Sequence, residues 1–186
     1  MAEPLLMEPY HDAVVAALKE ISWVRNAAHY PDEDIPKFSG LITPAVYFTV
    51  NSWDPVANST GQLSVELSCD LYVVADAAGD AGISQPEIFA CCAAADITQW
   101  IDGQQFGLGN VEPAAFISAG KDEFDPRMDD YLVWRISFSQ RAAFGADPFA
   151  PAGGPIKKIW LGAAPEIGAQ NVDRYRLIYE ANSGDE

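Results

Sequence analysis

Two histidines and three cysteines are the side chains of this sequence best suited to metal or nucleophilic chemistry, but their spacing does not form a site. His11 lies in the first predicted helix, and His29 lies in the polar segment after it. A structural zinc site usually needs four nitrogen or sulfur ligands, and the cysteines are distant in sequence. His29 has Asp32 and Asp34 nearby as its only local cluster of possible ligands. We therefore predict no metal site.

The cysteines are Cys69 and the adjacent pair Cys91 and Cys92. An odd number, with two neighbours in sequence, is a poor basis for a disulfide framework. We expect all three to be small buried apolar residues in a reducing compartment. The sequence contains no Gly-x-Ser-x-Gly nucleophile elbow and no feature that strongly activates a thiol. We therefore predict no catalytic residue and no enzyme activity.

The glycine-rich segments lack the patterns that bind phosphate or calcium. GQQFGLGN, at residues 103–110, has no Gly-Lys-Ser/Thr ending and does not open a helix after a strand. DAAGDAG, at residues 76–82, lacks the carboxylate spacing and terminal Glu of a calcium loop. We accordingly predict no cofactor.

The net charge of the chain indicates which classes of partner it can bind. Eleven Lys and Arg against 27 Asp and Glu give a formal net charge of −16. Binding to a nucleic-acid backbone requires basic patches, so we predict no sequence-specific binding of nucleic acid. The charge favours either solubility through repulsion between monomers, or an acidic pore that lets DNA pass without adhering.

No apolar run approaches the ~18 residues that cross a bilayer, and the first residues lack a signal-peptide pattern, so we expect neither membrane insertion nor export.

The elements that would carry these residues follow from hydrophobic periodicity. In chain order we predict a helix over residues 9–25, a polar linker, a strand over 43–51, an alternating strand over 64–74, a helix over 84–102 with a capping box from Ser84 to Glu87, a short strand over 114–118 and a second alternating strand over 130–141. Two strands with one covered and one polar face, together with two helices, predict an α+β fold. Its antiparallel or mixed sheet would have both main helices on one face.

The alternation also assigns faces. Residues expected to face the core are Val65, Leu67, Cys69, Leu71, Val73, Leu132, Trp134, Ile136 and Phe138, and on the second helix Ile88, Cys92, Ala95, Trp100 and Ile101. Asp70 and Tyr72 are expected to face outward. On the second alternating strand Tyr131, Val133 and Arg135 face outward, and we take these three as candidate interface residues.

The amino-acid composition of the chain changes after Phe144. Residues 145–156, GADPFAPAGGPI, contain three prolines and three glycines in twelve residues, which is typical of a hinge. We predict a core domain over residues 1–145 and a hinged C-terminal extension or arm over 146–186. Its apolar groups must find cover, either by completing the sheet or by docking on a neighbouring subunit. Trp160, Leu161, Ile167 and Tyr175 are the candidate interface residues of this extension.

Four segments in this order carry a resemblance to a known family. They are LSVELSCDLYVV at 63–74, SQPEIFACCAAADITQWI at 84–101, YLVWRISFSQRAAFG at 131–145 and WLGAAPEIGAQNVDRYRLI at 160–178. In element order the chain resembles the tail terminator proteins of long-tailed phages, most closely the Mu-like prophage tail proteins and more remotely the lambda-type terminator. These are patterns of fold and order rather than a sharp sequence signature.

The resemblance implies an antiparallel sheet flanked by helices and a non-enzymatic virion protein of the tail–neck region, assembled in the host cytoplasm. It implies a homo-oligomer, a hexameric ring, which caps the tail tube, stops its polymerisation and joins the tail to the head. The implied partners are the tail tube protein, a neck or connector protein and possibly the sheath. Two alternatives remain open: another neck or head-completion connector, and a small-molecule binding module or enzyme that uses a pocket between the sheet and the helices.

Overall fold

A computed structural model describes residues 4–30, 40–57, 61–78, 83–122, 128–145 and 156–180. The chain forms two compact units, Met1–Phe149 and Ala150–Glu186. Several predicted features lie outside the described residues: the acidic cluster with Asp32 and Asp34, most of the glycine-rich segment 76–82, and most of the Pro/Gly hinge.

The first unit is a five-stranded mixed sheet with two helices. Its elements are α1 (Met7–Lys19), β1 (Asn26–His29), β2 (Ala45–Pro55), β3 (Leu63–Asp76), α2 (Pro86–Ile101), β4 (Ala115–Lys121) and β5 (Tyr131–Phe144). The strand order is β1-β2-β3-β5-β4. β1 runs parallel to β2, and the other neighbours are antiparallel. The predicted α+β class with a mixed sheet is confirmed.

β3 and β5 form the centre of the sheet, as their alternation predicts. They pair without interruption from Leu63 opposite Phe144 to Asp76 opposite Tyr131. The odd-numbered apolar residues of β3 from Val65 to Ala75 are buried together with Ile136 and Phe138 of β5, whereas Leu63 at the start of β3 is exposed. Because successive side chains of a strand point to opposite faces, one row of each strand lies under the helices. Both helices contribute to this single core, which confirms that they share one face.

α1 is shorter than its periodicity predicts. Its buried stripe contains Tyr10, Val14 and Leu18, and the helix ends at Lys19 rather than near residue 25. Hydrogen bonds from Ile21 N–H to Leu18 and from Val24 N–H to Ile21 tighten the chain into three-residue turns. These turns end the helix. The chain then forms β1 where we expected a linker.

α2 begins later and faces differently than predicted. Its N-cap is Gln85, without a side-chain cap hydrogen bond, so the predicted Ser84 capping box is wrong, although Pro86 does occupy the first turn. Among the predicted core positions Ile101 is buried and Trp100 is partly buried, but Ile88, Cys92 and Ala95 are exposed. The buried stripe is instead Ala90, Ala93, Ala94, Ile97 and Ile101. Alanines at these positions let the helix approach the sheet closely.

The opposite face of the sheet carries a second, smaller cluster. Ala45, Tyr47, Val74, Met128 and Val133 are buried there, and Tyr30, Tyr72 and Tyr131 pack against them in part. One end of the face predicted to be open is therefore covered by aromatic and apolar side chains.

The second unit is a two-stranded sheet. β6 (Lys158–Leu161) pairs antiparallel with β7 (Arg176–Glu180), and a 3-10 helix (Ala169–Arg174) lies between them in sequence. These two strands form a sheet of their own, and completion of the five-stranded sheet by the extension stays a prediction. The role of the extension as an arm stays a prediction.

Candidate assembly surfaces

The three interface candidates of β5 lie in different environments. Tyr131 is half-buried, and its hydroxyl accepts the backbone N–H of Leu41 at 3.1 Å. Val133 lies on the predicted face but is only 8% exposed, because it packs in the second cluster. Arg135 is exposed and lies opposite Tyr72 in the register. The interface role of these three residues stays a prediction.

A buried carboxylate anchors the middle of this face. Asp70, expected to face solvent, is only 6% exposed. Its Oδ1 accepts the hydroxyl of Ser137 at 2.6 Å, and its Oδ2 accepts the side-chain amide of Asn51 at 2.7 Å. A buried charge is tolerated when hydrogen bonds satisfy it, and these bonds tie β2, β3 and β5 together. Both carboxylate oxygens therefore have hydrogen-bond partners within the sheet.

The core contains a second polar network that the sequence did not reveal. Tyr10 donates its hydroxyl to Gln140 Oε1 at 2.7 Å. Gln140 in turn donates its side-chain amide to the carbonyl oxygens of Gln104 at 3.0 Å and Glu112 at 2.7 Å. Burial is the main cause that raises the pKa of Tyr10, so its hydroxyl stays protonated and remains a donor. The network fastens α1 and the 103–112 loop to β5.

The cysteines divide into two environments. Cys69 is buried, and burial raises the pKa of its thiol to about 12. A thiol of that pKa is protonated near neutral pH and is a poor nucleophile. Cys91 and Cys92 are exposed on α2, so the expectation that all three are buried is wrong for this pair. The helix turns its alanines to the sheet and leaves both thiols toward solvent.

The histidines contact each other, which their sequence separation does not suggest. His11 Nδ1 lies 3.3 Å from His29 Nδ1, and His29 Nε2 lies 3.8 Å from Asp12 Oδ1. Burial, followed by the neighbouring His29, lowers the pKa of His11, while Asp12 acts in the opposite direction. Among the described residues, no group of three or more His, Cys, Asp or Glu side chains is arranged to hold a metal ion.

The interface candidates of the second unit are mostly exposed. Trp160 is 52% exposed, Leu161 55% and Ile167 53%. Tyr175 instead holds the unit together: its hydroxyl accepts the N–H of Gly168 at 2.7 Å. Its ring also lies against Gly162, where an added Cβ would be 2.7 Å from Tyr175 Cε1.

No described residue of the second unit is buried. Its exposed large apolar side chains are Ile156, Ile159, Trp160, Leu161, Ile167, Val172, Ile178 and Tyr179. So many exposed apolar side chains within 25 residues are typical of a segment that interacts with another surface. A two-stranded sheet is also marginally stable by itself in water, so this unit gains stability from a cover.

Two cavities in the first unit are small for ligand sites. One, of about 230 Å³, is lined by residues that include Glu87, Lys121 and Trp134. The other, of about 290 Å³, is lined by residues that include Gln62 and Arg141. Pockets for small molecules usually measure about 300–1,000 Å³.

Within the described part of the chain, no helix is long and apolar enough to cross a membrane.

Charge is distributed unevenly along the chain. Residues 1–149 contain seven Lys and Arg and 22 Asp and Glu, a net charge of −15. Residues 150–186 contain four basic and five acidic side chains, a net charge of −1, and within them residues 156–180 have a net charge of +1. The apolar second unit is therefore also the least acidic part of the molecule.

Comparisons with known proteins do not identify a family for this chain. No protein-family model matches the chain, and no curated protein matches it. Among solved structures, the chain is similar to one described as "Virion of native gene transfer agent (GTA) particle", with 18% identity and a TM-score of 0.40. The similarity covers 74% of this chain and 90% of that chain. A likeness at that level does not assign a function.

Proposed function

We propose that this chain is a structural subunit of a phage-like virion, a tail terminator that closes into a homo-oligomeric, hexameric ring. In that role it caps the tail tube, stops its polymerisation and joins the tail to the neck. The name terminator comes from the resemblance of its four segments to that family. The α+β fold with both helices on one face of the sheet agrees with what the resemblance implies.

The exposed apolar surface of the second unit is the observation that carries the assembly role. Eight large apolar side chains lie exposed within residues 156–180, where no residue is buried. Burial of apolar area drives association, so such a surface is stabilised when it is covered in a complex. A subunit that acts alone has no physical need for it.

The charge distribution supports passage of DNA through the assembly. A ring of subunits that each carry −15 in the first 149 residues presents a field that repels phosphate. DNA that crosses such a ring is not retained, because its phosphates meet an excess of carboxylates rather than the basic groups that would replace its counterions. A terminator has this requirement when the genome leaves the head.

The chemistry of the described residues supports a structural rather than a catalytic role. The Asp70 carboxylate is occupied by Ser137 and Asn51. The Cys69 thiol, with its pKa raised to about 12, is inert at neutral pH. The Asp70 carboxylate joins three strands, and the Cys69 thiol packs in the core against the Tyr10 hydroxyl on α1.

Native mass spectrometry and negative-stain microscopy of the full chain test the proposal directly. We expect a closed ring, and we expect its addition to the tail tube protein of the same virus to stop tube growth at one end. A matched control is the same addition of a chain with Trp160→Asp, which should leave tube growth unaffected. A strict monomer at high concentration, also in the presence of the tube protein, would overturn the assembly role. A ring that binds portal protein and ignores the tube would instead identify a connector.

A further inference from the structure

β4 forms an unusually open edge of the five-stranded sheet. It pairs with β5 on one side only, and all seven of its residues are exposed. Ile117 is 58% exposed, and Phe116 beside it is also exposed. The other edge strand, β1, has only four residues, one of them buried. A long exposed edge with apolar side chains is a ready template for another strand.

Only the first part of the β4 edge has partners beyond β5. Asp102 Oδ1 accepts the N–H of Phe116 at 3.3 Å, and Ala114 exchanges backbone hydrogen bonds with Gly103 and Gln104. A bulge between Phe116 and Ser118 then shifts the register. Among the described residues, the outer edge from Ile117 onward shows no further backbone partner. Unpaired N–H and C=O groups there are available to a strand of another molecule.

We propose that β6 of one copy adds to the β4 edge of a neighbouring copy, which links the subunits of the ring through an intermolecular sheet. This inference rests on the proposed homo-oligomeric ring and specifies how its subunits are joined. Acceptor and donor are different surfaces of the chain, so the contact is heterologous. Heterologous contacts close into rings when the rotation permits, with each copy donating one strand and accepting one.

Charge favours a second copy as the occupant. β6 begins with Lys158, which follows Lys157, whereas Asp102 and Asp122 lie at the two ends of β4. Lys158 already pairs with Glu180 at 2.6 Å, and Lys121 lies beside Asp122 at the end of β4, so charge favours the strand direction that brings Lys157 toward Asp102. Because two first units with −15 each repel, the +1 segment 156–180 is the part of the chain that approaches a second copy at least electrostatic cost.

The chain between the strands is long enough to reach a neighbour. Thirteen residues, 145–157, separate the end of β5 from the start of β6. Fully extended, a segment of this length spans at most about 45 Å, which is more than the diameter of a small domain. Addition of β6 would also cover Trp160 and Leu161, two of the exposed apolar side chains of the second unit.

Disulfide trapping between differently tagged copies tests the inference. Both exposed native cysteines are first changed to serine (Cys91→Ser, Cys92→Ser), and one full chain then carries Ile117→Cys while the other carries Leu161→Cys. Because each chain has a single accessible cysteine, a mixed disulfide forms only between molecules. The matched control replaces Ile117→Cys by Ile88→Cys, a residue of equal exposure (59% against 58%) that lies on α2.

We expect at least tenfold more mixed disulfide with the Ile117 position than with the Ile88 position. We also expect Ile117→Asp to raise the concentration at half-association at least tenfold, and Ile88→Asp to change it less than twofold. Equal trapping at both positions, with rings still present, would overturn this inference and leave the proposed function standing. Loss of rings in the parent protein would overturn both. A chain that carries both Ile117→Cys and Leu161→Cys and closes only within itself would place β6 on its own β4 edge and contradict the exchange.

Discussion

The core network of Tyr10 and Gln140 predicts that one substitution, Tyr10→Phe, lowers the free energy of unfolding of the parent protein but raises that of the Gln140→Leu variant. Tyr10→Phe removes one donor and leaves Gln140 Oε1 buried without a partner. An orphaned buried polar group costs about 1–3 kcal/mol, so we expect a loss of that size in the free energy of unfolding. Gln140→Leu is more damaging, because it removes the partner of the Glu112 carbonyl and leaves the Tyr10 hydroxyl only its 3.8 Å contact with Cys69 Sγ, which is a weak hydrogen-bonding group.

The Gln104 carbonyl is spared, since it also accepts the N–H of Ala114 at 2.9 Å. The unpaired Glu112 carbonyl and the weakly paired Tyr10 hydroxyl together give about 2–6 kcal/mol for Gln140→Leu. In the double variant the Tyr10 hydroxyl is absent, and only the Glu112 carbonyl stays unpaired. We therefore expect Tyr10→Phe, which destabilises the parent, to stabilise the Gln140→Leu variant by about 1–3 kcal/mol.

Urea unfolding followed by far-ultraviolet circular dichroism measures all four proteins of this cycle. Tyr179→Phe, at an exposed tyrosine, is the control and should change stability by less than about 0.5 kcal/mol. Because burial raises the pKa of Tyr10, the cycle should give the same result from about pH 6 to about pH 9. A double variant whose loss equals the sum of the two single losses would refute the reasoning.

Three further predictions concern other sites. A thiol reagent should label two cysteines per native chain and three after unfolding, because Cys91 and Cys92 are exposed and the Cys69 thiol is buried; fast labelling of three in the native state would contradict this. The pKa of His11 is lowered from its usual value near 6.5, so below that pH the unfolded chain binds more protons than the folded chain. The free energy of unfolding should therefore be highest above that pH and fall as the pH decreases through it. Denaturation at several pH values should show a weaker pH dependence for His11→Gln. Gly162→Ala places a Cβ 2.7 Å from the Tyr175 ring and should destabilise the second unit by about 1–3 kcal/mol, seen as faster amide hydrogen exchange in β6 and β7. Gly109→Ala, where nothing lies within 4 Å, is its control, and equal exchange rates in the two variants would contradict the packing argument.

The central strands were predictable because their pattern is local. In β3 and β5 apolar and polar residues alternate over more than ten positions, and period two fits only a strand with one covered face. β1 was not predictable, since its four residues gain their structure from β2, whose pairing begins with Asn26 opposite Ala45. The stripe of α2 was ambiguous, because apolar residues occur on both sides of that helix and docking on the sheet selected the alanines.

The sequence by itself determined the class of the fold, the location of its two long strands and the acidic charge, because each depends on composition or short-range periodicity. Only the tertiary structure decided which polar groups are buried. Asp70 follows the outward pattern of β3, yet its partners Asn51 and Ser137 come from strands on either side. Tertiary structure also decided that β4 forms an open edge and that residues 156–180 contain no buried side chain. Burial and edge position depend on neighbours distant in sequence, and no local pattern records them.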